Sequence, residues 1–127
     1  MEIKEFAREV HENAKVHGWW DEERSFGDLI ALCHSELSEA LEEYRNNVPG
    51  KKLHRDPFST YYSGGGYVAS DPTVVSKKME GIPSELADVI IRVLDMTEHY
   101  GIDIEAALAE KHEYNKTRPY KHGGKVM

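Results

Sequence analysis

Apolar residues recur at three- and four-residue spacing in four stretches of the chain, the pattern of amphipathic helices that each turn one stripe toward a core. In residues 2–17 the stripe is Ile3, Phe6, Ala7, Val10 and Ala14, and Gly18 is a plausible stop. A second pattern begins near Ser25 and runs to about Arg45, with Ile30, Cys33, Leu37, Leu41 and Tyr44 on its apolar side. Asn46, Asn47, Pro49 and Gly50 then break it. The third starts at Pro83, whose fixed φ suits a first helical position, and continues through Leu86, Val89, Ile90, Val93, Leu94 and Thr97 to Gly101. Asp103 is placed to cap a fourth helix carrying Ile104, Ala107, Leu108 and Lys111, which ends around Tyr114 to Thr117, before Pro119. The tail YKHGGKVM is expected to be irregular.

Four helices sharing an apolar seam predict an all-α chain folded as a four-helix bundle, a single domain over residues 1–127. The connection between the second and third helices departs from that simplicity. Residues 46–82 are polar, contain Gly64, Gly65 and Gly66, and lack helical periodicity, so they read as a long loop, either a surface insertion or a lid. Alternation around Tyr61 and Tyr67 suggests a small hairpin across the glycines. Lys51, Lys52, Arg55, Lys77 and Lys78 suit a phosphate-facing lid and equally suit a solvated surface.

Composition narrows the partners. The 127 residues carry a formal net charge of -7, which disfavours bulk attraction to a nucleic acid polymer or an anionic membrane. No apolar run approaches the roughly 20 residues needed to cross a bilayer, and the acidic, amphipathic start MEIKEFAREV is unlike a secretory signal. A single cysteine, Cys33, leaves no intrachain disulfide. A cytoplasmic protein is expected.

The chemistry lies in carboxylates. In HSELSEALEEYR, Glu36 and Glu39 are three residues apart and project from one helix face, and Glu43 extends the row. In SELADVIIRVLDM, Glu85 and Asp88 repeat the spacing. If these helices are antiparallel neighbours, four carboxylates meet, and charges that dense need protons or cations. Oxygen ligands favour magnesium, manganese or calcium over zinc. The absence of a Glu-x-x-His pair argues against a ferritin-like di-iron site. Taken singly, each pair is also what an ordinary solvated helix shows, and acidic residues are common in a first helical turn. His11, His17, His54, His99 and His112 show no ligand spacing.

The run ALCHSELSEALEEYR, then GIPSELADVIIRVLDM, then KHEYNKTRPYKHGGK resembles the MazG-like nucleotide pyrophosphohydrolases of the all-alpha NTP pyrophosphatase superfamily, over most of residues 19–46 and 82–125. The resemblance implies magnesium, with manganese as a substitute, held by Glu36, Glu39, Glu85 and Asp88. It implies cleavage of a nucleoside triphosphate between the α and β phosphates, releasing monophosphate and pyrophosphate in nucleotide-pool house-cleaning, with Glu39 the candidate base for the attacking water. Trp19 and Trp20, just before the second helix, then fit either packing between helices or stacking on the nucleobase, whose edge Arg24 or Asp21 would read. The resemblance places Lys111, Asn115 and Arg118 on the polyphosphate, where lysine and arginine neutralise charge, although a basic helix end also suits the helix dipole. His122, Gly123, Gly124 and Lys125 would close over the phosphates. A homodimer or dimer of dimers is the implied assembly. The long loop departs from the family pattern, so no base preference carries over. Two other readings share these acids: a nucleotide- and metal-binding regulatory module with little turnover, and a phosphoribosyl-ATP pyrophosphohydrolase.

Overall fold

The computed structural model describes residues 2–47, 50, 55–68 and 71–120. The elements in chain order are α1 (Ile3–Val16), α2 (Phe26–Asn46), β1 (Tyr61–Val68), β2 (Asp71–Glu80), α3 (Ile82–His99) and α4 (Ile104–Lys116). The chain is mostly helical, and no helix among the described residues is long and apolar enough to cross a membrane. Lys51, Lys52, His54 and the HGGK tail lie outside the described residues.

Helix boundaries follow local chemistry. The Ser25 hydroxyl accepts from the Asp28 N–H at 3.1 Å, and the Asp103 carboxylate accepts from the Ala106 N–H at 3.0 Å, each satisfying an amide that has no partner within its helix. The Asp103 carboxyl is held below its ordinary range by that amide, with Lys4 and Arg8 adding to the effect. Gly18 and Gly101 end the runs before them with φ of 82° and 69°, conformations a side chain resists. Helix α3 begins at Ile82, one residue before the proline expected to open it.

Residues 46–82 differ from the expected loop. They hold an antiparallel pair, β1 and β2, with Tyr61 opposite Glu80, Tyr62 opposite Met79 and Ser63 opposite Lys78. A hairpin was expected, but with the glycines as its turn. Tyr61 and Tyr67 instead share β1, and Gly64, at φ 85°, lies inside the strand where the register shifts. A positive-φ glycine absorbs an irregularity within a strand as readily as it makes a turn.

Two compact units divide the chain: Met1–Glu22 with Leu94–Met127, and Glu23–Val93. In the first, Ala7, Leu94 and Met96 are buried, and α1 meets α4. The Lys4 amide donates to Glu105 at 3.3 Å, and its ammonium lies 3.6 Å from Asp103. In the second, Leu29, Ala40 and Ile82 are buried. The stripe expected to form the core of α2 is only partly inward, because Leu37, Leu41 and Tyr44 remain about half exposed while Leu29, Glu36 and Ala40 are buried. At about 100° per residue, the inward face is rotated by roughly a quarter turn from the apolar stripe. Polar pairing at Glu36 orients the helix there.

The glycines give a direct test of this backbone. Gly101 has open space where a Cβ would sit, so Gly101→Ala costs only conformational strain, roughly 1–2 kcal/mol. At Gly81 the φ is 110° and an added Cβ would lie 2.2 Å from the Ser59 carbonyl oxygen. Gly81→Ala is therefore expected to lower the urea midpoint well beyond Gly101→Ala, and equal midpoints would contradict the close approach.

Candidate metal centre

Carboxylate oxygens of Glu36, Glu39 and Glu85 come within 4.8 Å of one another in the Glu23–Val93 unit. Glu36 and Glu39 stand a turn apart on α2, and Glu85 sits in the first turn of α3. The helices run antiparallel where they meet: a Glu39 oxygen comes within 4.8 Å of Glu85, while Glu36, a turn earlier, accepts from Arg92 two turns further along α3. This approach adds Glu85, from the second acidic pair, to the first pair on α2.

The three acids occupy different environments. Glu36 is only 8% exposed, a burial that would be costly for a lone carboxylate. The Arg92 Nε donates to its Oε1 at 2.7 Å and supplies the opposite charge. Glu39 is exposed. Glu85 is partly buried, its Oε2 has no hydrogen-bond partner among the described residues, and its pKa is pushed up to about 7. Burial is the largest cause, followed by the hydrogen bond with Glu39 and by the charges of Glu39, Asp88 and Glu36. Asp88 thus acts on Glu85 through charge, while the set of mutually close oxygens comprises the other three.

This donor set suits a hard divalent cation. Oxygens of three carboxylates converge, one buried oxygen lacks a partner, and the local repulsion is relieved by a proton or a cation. Glu43, the next residue in the same row, is committed elsewhere. It accepts from the Tyr61 hydroxyl, and its side-chain and backbone oxygens accept from Asn47 Nδ2 at 3.4 and 2.9 Å. Tyr61 is correspondingly raised to about 12, first by that hydrogen bond and then by burial. The Cys33 thiol is raised by burial, as expected of an inert side chain.

The remaining sequence-predicted residues divide between the units. Arg24 belongs with the carboxylates in Glu23–Val93, whereas Trp20, Lys111, Asn115 and Arg118 belong to the other unit. Trp20 has one face and its polar edge engaged within its own unit. Its ring stacks on His99 with centroids 3.9 Å apart, and its Nε1 donates to Asp95 at 2.9 Å. Lys111 and Arg118 both approach the Tyr114 ring, at 4.8 and 6.0 Å from its centroid. The Asn115 carbonyl accepts from the Arg118 N–H at 3.2 Å where the helix ends.

Arg92 was not singled out in the sequence, although its place seven residues after Glu85 and four after Asp88 puts it on their helix face. Asp95 and His11 were also missed. Asp95 is 6% exposed, and its Oδ1 takes both Trp20 and the His11 Nδ1, the latter at 2.6 Å. Nothing in the spacing of His11 or His99 signals this arrangement, because its members come from α1, the turn after it and the end of α3. No family model, curated protein or solved structure matches the chain.

Glu85 makes the centre sensitive to pH. Its folded-state pKa of about 7 lies above the ordinary 4.5, so the folded state retains a proton that the unfolded chain releases earlier. Its contribution to stability is fully present below about 4.5 and declines as pH rises to about 7. In divalent-free buffer, Glu85→Gln is expected to flatten this decline. Added magnesium should raise the melting temperature of the unaltered protein more at pH 8 than at pH 5, and equal shifts at both would count against cation binding by this carboxylate.

Proposed function

We propose that the chain is a magnesium-dependent nucleoside triphosphate pyrophosphohydrolase that cleaves between the α and β phosphates. The observation that carries the reading is the convergence of Glu36, Glu39 and Glu85, with a buried unpartnered oxygen on Glu85. The ordered resemblance of both acidic motifs and of Lys111, Asn115 and Arg118 to MazG-like enzymes supplies the substrate class. On this reading the four helices form the bundle of that superfamily, and the hairpin is an insertion.

A divalent ion, magnesium or manganese, supplies charge neutralisation for the phosphates and lowers the pKa of a water. Glu36 is the fixed ligand, locked by Arg92. Glu85 and Asp88 complete the anionic set from α3. Glu39, exposed and close to both partners, is the group placed to take the proton from the attacking water. Lys111 and Arg118 neutralise the departing pyrophosphate, with Asn115 donating to its oxygens. Trp20 and Arg24 remain the candidates for recognising the base.

Assembly with a second copy is part of the reading. No large side chain among the described residues is fully buried, and α4 buries no residue. On α2, Phe26, Leu37, Leu41 and Tyr44 fall within a narrow arc beside the inward face. Leu86 and Ile90 do the same on α3, with Ile90 59% exposed. Because the helices are antiparallel, both arcs lie on the same side of the pair, away from Glu39 and Asp88. A continuous apolar face of this kind favours a self-complementary contact.

Incubating a panel of canonical and modified nucleoside triphosphates with magnesium is expected to yield monophosphate and pyrophosphate, whereas diphosphate and orthophosphate would overturn the assigned bond. Glu39→Gln should lower turnover at least about 100-fold, the scale of a lost general base. Magnesium-dependent nucleotide binding without turnover would favour a regulatory module. Light scattering after chromatography should show a dimer or tetramer for the unaltered protein and a monomer for Ile90→Glu combined with Leu41→Lys; a monomeric unaltered protein would remove the assembly.

A further inference from the structure

The two ends of the hairpin return to the carboxylate helices at one place. The Pro57 carbonyl accepts from the Ile82 N–H at 3.1 Å, joining the approach to β1 with the first residue of α3. Gly81 lies so close to Ser59 that a Cβ has no room between them. Asp56 stiffens this turn: its carboxylate accepts from the Phe58 N–H at 3.0 Å, and its carbonyl accepts from the Ser59 hydroxyl at 2.8 Å. Pro57 is buried, and Tyr61 opposite Glu80 is the first pair of the hairpin. Residues 56–61 and 80–82 therefore form a closed neck, continuous with the turn of α3 that carries Glu85. The Glu85 N–H donates to the Gly81 carbonyl at 3.1 Å.

One side chain joins this neck to α2. The Tyr61 hydroxyl donates to Glu43, one turn beyond Glu39, and the Arg55 guanidinium covers the Tyr61 ring at 4.0 Å. Phe58 of the neck lies against Tyr44, with ring centroids 6.2 Å apart. Thus Glu39 and Glu85 are connected by a circuit of strand pairing and hydrogen bonds: Glu43, Tyr61, Glu80, Gly81 and the first turn of α3.

We propose that Tyr61 is a positioning residue for the Glu39–Glu85 pair: by bonding Glu43 it holds the neck against α2 and sets the helix separation where these carboxylates meet. The inference rests on the cation reading of the carboxylates. The hairpin neck is then a brace of the cation centre, contributing geometry without touching the ion. Tyr61 also occupies Glu43 Oε1, which keeps a further carboxylate of the same row out of the cluster.

The test uses the full chain and manganese as the probe, with free ion measured by electron paramagnetic resonance and stability by thermal melting. Tyr61→Phe removes one hydroxyl and is expected to weaken manganese affinity about tenfold, the lower end of the loss seen when a group orienting metal ligands is removed. Ser25→Ala is the control, since it deletes the cap at the far end of α2 and lowers stability without reaching the neck. It should leave manganese affinity unchanged. Unaltered affinity in Tyr61→Phe, or an equal loss in Ser25→Ala, overturns the inference while the cation reading stands. If the unaltered protein binds no manganese, the cation reading falls and the inference falls with it.

Discussion

Pairing a buried glutamate with an arginine between two helices is the constraint on which the Glu23–Val93 unit depends. Glu36 lies in the inward face of α2, where its burial would be unfavourable without Arg92. The guanidinium offsets that cost and at the same time ties α2 to α3 at a defined level. Once that level is set, Glu39 falls beside Glu85 and the excess negative charge accumulates at one end of the pair. The upward displacement of the Glu85 pKa comes first from its burial and then from this crowding. Stability and chemistry are coupled here, because whatever relieves the repulsion, proton or cation, also favours the folded helices.

The same constraint explains the apolar surface. A helix can point only one face at its neighbour, and on α2 that face is centred on Leu29, Glu36 and Ala40. Leu37, Leu41 and Tyr44 are displaced sideways. The two helices thereby acquire a polar edge bearing the carboxylates and an apolar edge suited to another surface. The arrangement separates the carboxylates from the exposed apolar side chains on a single pair of helices.

The other unit solves a similar problem by different means. Asp95 is buried, but its carboxylate is held by neutral or titratable donors, the Trp20 indole and the His11 imidazole, instead of a fixed cation. Trp20, His11 and His99 form a cluster of three rings, with His11 edge-on to the indole at 5.7 Å, His99 stacked on it at 3.9 Å, and the two imidazoles 6.2 Å apart. The turn after α1 is consequently attached to the end of α3 by directed hydrogen bonds and ring contacts as well as by apolar burial.

The four helices and their ends were legible in the sequence because they depend on local chemistry: period, the Ser25 and Asp103 caps, and glycines that accept positive φ at 18 and 101. The acidic pairs were legible too, since helical geometry alone places residues three apart on one face. Which acids meet was decided by tertiary structure, through the antiparallel approach that gathers Glu36, Glu39 and Glu85 and the arginine that bonds Glu36. The hairpin register was likewise nonlocal, for glycines within β1 resemble glycines in a turn until the partner strand is known. Periodicity specifies how a helix is striped. The orientation of that stripe is chosen by the strongest pairing available across the interface, and at Glu36 a buried ion pair prevails over the apolar stripe beside it.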